Sequence, residues 1–106
     1  MVKYSLQYLP LFFNDLEEHV MYISTVLCNE KAATDLITNV ESAILNRLPY
    51  AESFEPYHSP KKRPYPYYRI YVSNYTIYYV VIPAEHGKIM EVRRILNNRQ
   101  DQNKYL

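Results

Sequence analysis

The sequence predicts an α+β domain: one N-terminal strand, an antiparallel two-helix hairpin, then a three-strand antiparallel meander, with the helices packed on one sheet face. Three observations carry this. The first nine residues alternate polar and apolar character, two stretches follow with helical spacing of apolar residues, and three tyrosine- and β-branched-rich runs close the chain.

In the first strand, Val2, Tyr4, Leu6 and Tyr8 fall on one face and Lys3, Ser5 and Gln7 on the other. Pro10 suits the first turn of a helix, and Phe12, Leu16, Val20, Ile23 and Leu27 continue at spacings of three and four. Asp15, Glu17 and Glu18 read as an early acidic turn that complements the helix dipole. Asn29 is placed to cap a second helix with Ala33, Leu36, Val40, Ile44 and Leu48 on its apolar stripe, and Pro49 ends it. So short a connection makes the two helices antiparallel. Residues 49–66 hold five prolines and no apolar periodicity, which predicts a surface loop of restrained backbone. Strands are expected at 67–72, 75–82 and 88–96, separated by Ser73-Asn74 and by Pro83-Ala84-Glu85-His86-Gly87, with a polar tail over 97–106 that frays or makes a short turn. Such a sheet offers one face for packing and leaves the other free.

At 106 residues the chain suits a single domain spanning its whole length. No stretch approaches the roughly 20 apolar residues of a membrane span, and the N-terminus lacks a signal core, so the expected place is the cytoplasm. One cysteine rules out an internal disulfide and a cysteine-based metal cluster, and Cys28 reads as a small core residue. No pair of histidines has metal-ligand spacing, and a single glycine excludes a glycine-rich phosphate loop, so neither metal nor cofactor is expected. Net charge is only +1, yet it is unevenly spread. Asp15, Glu17, Glu18 and Glu30 fall in the first half, and Lys61, Lys62, Arg63, Arg69, Arg93, Arg94 and Arg99 in the second.

Planar cations on a free sheet face bind phosphate or carboxylate bidentately, which makes a polyanion the first partner to consider. Lys61, Lys62 and Arg63 would extend a phosphate track along the proline loop. Tyr75, Tyr78 and Tyr79 alternate faces, so at least one packs in the core and at least one is open to a groove, with Tyr75 and Tyr78 as the binding candidates. His58, in the same loop, is the histidine best placed to move a proton. Arg93 and Arg94 are adjacent, so strict alternation sends them to opposite faces and turns Arg94 toward the core. A local distortion would be needed to free it.

The block YRIYVSNYTIYYVV at 68–81, the block EVRRILNNRQD at 91–101 and the order of elements together resemble the RelE/ParE superfamily of bacterial type II toxins. The resemblance implies a toxin neutralised by a cognate antitoxin encoded beside it. One branch cleaves messenger RNA on the ribosome as an endoribonuclease, and the other acts on DNA gyrase. Arg69 and Arg94 match basic positions of the nuclease branch, which makes them, with His58, the catalytic candidates. Thr76 stands where many members have an arginine, and Leu96 or Asn97 where some nucleases have a histidine. Neither can move a proton near neutral pH or stabilise a developing phosphorane, which favours gyrase inhibition or a weakened nuclease. A degenerate toxin serving only as an antitoxin-binding co-repressor is the reading from another class.

Overall fold

The computed structural model describes residues 2–58 and 61–106. Met1, at the start of the expected first strand, and Ser59 and Pro60 in the proline loop lie outside the described residues. The chain runs β1 (Tyr4–Tyr8), α1 (Pro10–Met21), a π-helical turn (Tyr22–Val26), α2 (Glu30–Arg47), a 3-10 turn (Leu48–Tyr50), β2 (Tyr68–Val72), β3 (Tyr75–Ala84), β4 (Gly87–Asn97) and α3 (Gln102–Tyr105). One strand, two helices and a meander is the predicted order. Among the described residues no helix is long and apolar enough to cross a membrane.

The four strands form one mixed sheet in the order β1-β4-β3-β2. β2, β3 and β4 pair antiparallel as expected from their short turns, while β1 joins the far edge parallel to β4, from Tyr4 opposite Lys88 to Tyr8 opposite Val92. The helical pair therefore carries the chain from one sheet edge to the other. Its buried stripe of Phe12, Ile23, Ala33, Leu36, Val40 and Ile44 packs on Ile70, Val72, Tyr75, Ile77, Tyr79, Val81, Met90, Val92 and Ile95. Burying this set supplies the main driving force, at about 1.5–3 kcal/mol for each large apolar side chain.

Four local expectations need correction. The acidic residues of α1 lie beyond its first turn, and Asp15 is buried rather than solvated. After α1 the Leu27 amide reaches back five residues to the Tyr22 carbonyl, and this wider turn rotates the stripe. Leu27, inward by simple counting, is 56% exposed. Cys28 is exposed in a left-handed conformation at φ 50°, since it sits in the reversal between the helices instead of on either apolar stripe.

The fourth concerns the helix-free face of the sheet, which is not open throughout. Tyr67, Tyr78, Val80 and Leu96 form a second buried cluster there, covered by Tyr57 and Tyr65 from the proline loop and by Leu106 from the C-terminal segment. The tail over 97–106 is a turn followed by α3, with Asp101 accepting from the Asn103 amide as its cap.

Candidate functional site

β4 carries the charge, and a one-residue bulge decides how it is displayed. Tyr78 pairs with Arg94 but Tyr79 with Val92, so Arg93 is the extra residue. Met90 and Val92 point to the helices, and alternation alone would send Arg94 after them. With the bulge, Ile95 takes the core position at 0% exposure and Arg94 turns out of it. The distortion needed to free Arg94 from the core is present.

Arg94 is nonetheless occupied. Its Nε and Nη2 donate to the two carboxylate oxygens of Asp15 at 2.7 and 2.8 Å, and its Nη1 donates to the Tyr105 carbonyl at 2.8 Å. Asp15 reaches it because β1 pairs with β4 only as far as Val92, leaving the edge beyond unpaired by a strand. There α1 takes over, and Asp15 also accepts from the Ile95 amide at 3.2 Å. The side chains are 15% and 9% exposed, and the carboxylate holds the guanidinium pKa above its ordinary value. A fork-to-fork pair at such low exposure fixes both groups.

Arg93 is likewise paired, its Nε donating to Glu91 Oε1 at 2.8 Å while Gln7 donates to the other oxygen at 2.5 Å. Arg69 differs. Its guanidinium lies 4.8 Å from the Tyr57 ring centre and 5.7 Å from that of Tyr71, with no acid partner among the described residues. Arg63 stacks 4.8 Å over Tyr67, and its Nε and Nη2 are buried with no hydrogen-bond partner. Lys61 donates to the Asn103 carbonyl at 3.0 Å, and Lys62 and Arg99 are exposed. Arg63, Arg69 and Arg93 are thus joined through Tyr57, Tyr67 and Tyr78, whose rings contact edge-to-face at 5.9 Å.

His58 stays on the exposed loop, 3.6 Å from Glu55. Tyr75 and Tyr78 are 8% and 2% exposed, the first against the helices and the second beneath the C-terminal segment. Neither ring is offered to a ligand in this arrangement. Burial pushes the Tyr78 hydroxyl up to about 12. Thr76 is buried and donates to Asn98 at 2.6 Å. Among the described residues no three acids, histidines or cysteines gather as a metal site.

Two residues not expected at the site hold this region together. Asp15 is one, legible as an acid three residues after Phe12 on the inward stripe. Arg47 is the other, three residues after Ile44 on α2. Its Nη1 donates to the Arg69 carbonyl and the Tyr79 hydroxyl, both at 3.0 Å, and its guanidinium covers the Phe54 ring at 3.5 Å. It thereby sets the backbone of the strand that carries Arg69.

A helix-covered sheet whose last strand gathers arginines at a bulge defines a RelE/ParE-like toxin domain. Residues 6–102 match the family described as ParE toxin of type II toxin-antitoxin system, parDE, and the chain belongs to that family. No curated protein matches the sequence.

Proposed function

We propose that this type II toxin arrests growth by binding its target without cutting RNA, and that the target is DNA gyrase. The observation that carries the reading is the engagement of Arg94 with Asp15, Ile95 and Tyr105. A cation so held serves the fold, and a phosphate clamp at that position would first have to displace a carboxylate. Proton transfer is no better supplied. His58 faces Glu55 on the loop, and the His19 Nε2 is spent donating to the Ile95 carbonyl at 2.8 Å.

The neutralising antitoxin has an apolar surface to use. Phe13, Ile37 and Leu45 are between 43% and 53% exposed along the outer side of the helical pair. Together with Tyr8, Leu16 and Val40 they line a groove of about 250 Å³, which suits an amphipathic helix. Past the isolated Tyr57–Tyr67 bridge, no strand among the described residues pairs along the outer edge of β2, which can accept one more.

Mapping transcript 5′ ends before and after induction, alongside a supercoiling assay with purified gyrase, tests this function. Intact messages with lost supercoiling are expected. Prompt cuts within translated codons would overturn the proposal and move the chemistry to His58, whose neighbour Tyr57 carries Arg69 on its ring.

A further inference from the structure

Residues 98–106 return across the helix-free side of the sheet, starting where the Asn98 amide donates to the Asn74 carbonyl and Asn98 Oδ1 accepts from the Thr76 hydroxyl. Tyr78 Oη donates to Gln102 Oε1 at 2.6 Å and Tyr57 Oη to Asn103 Oδ1 at 3.0 Å. Lys61 Nζ donates to the Asn103 carbonyl at 3.0 Å, and Arg94 Nη1 to the Tyr105 carbonyl at 2.8 Å. In each of these last four bonds the body of the protein donates and the returning segment accepts. Beside them the Arg63 guanidinium holds two more donor nitrogens, Nε and Nη2, buried with no acceptor. The surface underneath is therefore a donor array with aromatic walls, and the segment satisfies it only in part.

The segment itself is lightly held. Its helix is four residues long, its capping acid is exposed, and its apolar anchor is Leu106, half-buried against the Tyr67, Tyr78 and Leu96 cluster. Few buried contacts and one turn of helix are the marks of a unit that opens without global unfolding. We propose that residues 98–106 form a displaceable strap, whose acceptors stand in for those of a phosphate-bearing chain that binds Tyr57, Lys61, Arg63 and Tyr78 once the strap lifts. A ligand with several anionic oxygens satisfies the two hydroxyls, the ammonium group and the Arg63 guanidinium together, while Arg94 stays paired with Asp15. The proposal does not depend on which cellular target the toxin arrests.

The test compares the full chain with two variants, the double substitution Gln102→Ala, Asn103→Ala and the single substitution Leu106→Ser, first by hydrogen exchange. In the unaltered chain the Lys104 and Leu106 amides, bonded to the Asp101 and Gln102 carbonyls, should exchange about 100-fold faster than those of β3 and show no dependence on low urea. Both variants should accelerate them while β3 and β4 keep their protection. Binding of inorganic polyphosphate, and of a single-stranded oligonucleotide with the same number of phosphates, should tighten roughly 5-fold or more in the variants at low salt. An equal gain with both probes supports recognition of the phosphate chain alone, and a larger gain with the oligonucleotide supports added stacking on the tyrosines. Strap amides that exchange only with global unfolding, or variants with no gain for either probe, would overturn the proposal.

Discussion

Replacing Asp15 by Asn changes one atom and removes the charge on which the exposed end of β4 is built. The carboxylate accepts two guanidinium N–H groups and the Ile95 amide. The amide can keep the Ile95 bond and at most one neutral bond to Arg94, which leaves a guanidinium at 15% exposure without its counter-charge. Breaking a buried pair from one side costs about 3–5 kcal/mol. Arg94 keeps the Tyr105 carbonyl and some access to water, so the lower end applies and the loss should be about 3 kcal/mol. For a domain of this size that is a fall of roughly 12–20 °C in melting temperature. In urea the midpoint should drop by about 1.5–2 M at unchanged slope. The double variant Asp15→Asn, Arg94→Met removes both charges, keeps an acceptor for the Ile95 amide and should return to within about 1 kcal/mol of the parent, because neutral replacement of a whole pair costs little. A single variant that loses less than about 1 kcal/mol would refute the assignment of Arg94 to the fold.

Three other outcomes follow from separate parts of the structure. Gly87 has φ +138°, and a Cβ there would stand 2.4 Å from the Lys3 carbonyl oxygen, so Gly87→Ala should cost about 2 kcal/mol by urea titration and raise exchange along β1. Tyr4 and Tyr78 are both raised from 10.0 to about 12, chiefly by burial. A folded-state value above the unfolded one gives stability that is complete below pH 10 and lost as pH rises toward 12, so the urea midpoint should fall across that window and Tyr78→Phe should flatten the fall. Arg69→Ala removes a guanidinium held only by two rings, and it should lower toxicity in a growth assay while changing stability by no more than about 1 kcal/mol.

The elements were legible wherever one period dominated. Phe12, Ala33, Leu36, Val40 and Ile44 are buried as their spacing demands, and the Asn29 cap accepts from the Ala32 amide at 3.0 Å as its type predicts. Partnership was not legible, since nothing in MVKYSLQYL says that β1 lies parallel to β4 instead of beside β2. Nor could composition show that the polar tail folds back, because its ties are long-range hydrogen bonds from Tyr57 and Tyr78 with no local signal. Leu27 and Cys28 were misplaced for a related reason. A π-helical turn adds a fraction of a residue to the repeat, and regular counting cannot detect it.

The candidate site shows how a single inserted residue governs function-bearing charge. Without the bulge at Arg93, residues 90, 92 and 94 would share one face, and Arg94 would meet the apolar helices. Burying an isolated guanidinium there costs far more than a bulge, which loses part of one ladder step. The bulge exchanges Arg94 for Ile95 in the core, and Ile95 at 0% exposure is well used. Arg94 then lies at the one stretch of β4 that β1 does not reach, where the Asp15 carboxylate from α1 serves both the unpaired Ile95 amide and the displaced guanidinium. The same step leaves Arg93 on the bulge itself, paired with Glu91 and turned toward Tyr67 at 6.0 Å, within the aromatic surface that also carries Arg63. Charge on this strand is therefore divided between a structural arginine and a surface one, and Arg69, on the edge strand β2 beyond β3, is the cation whose removal most cleanly separates binding from folding.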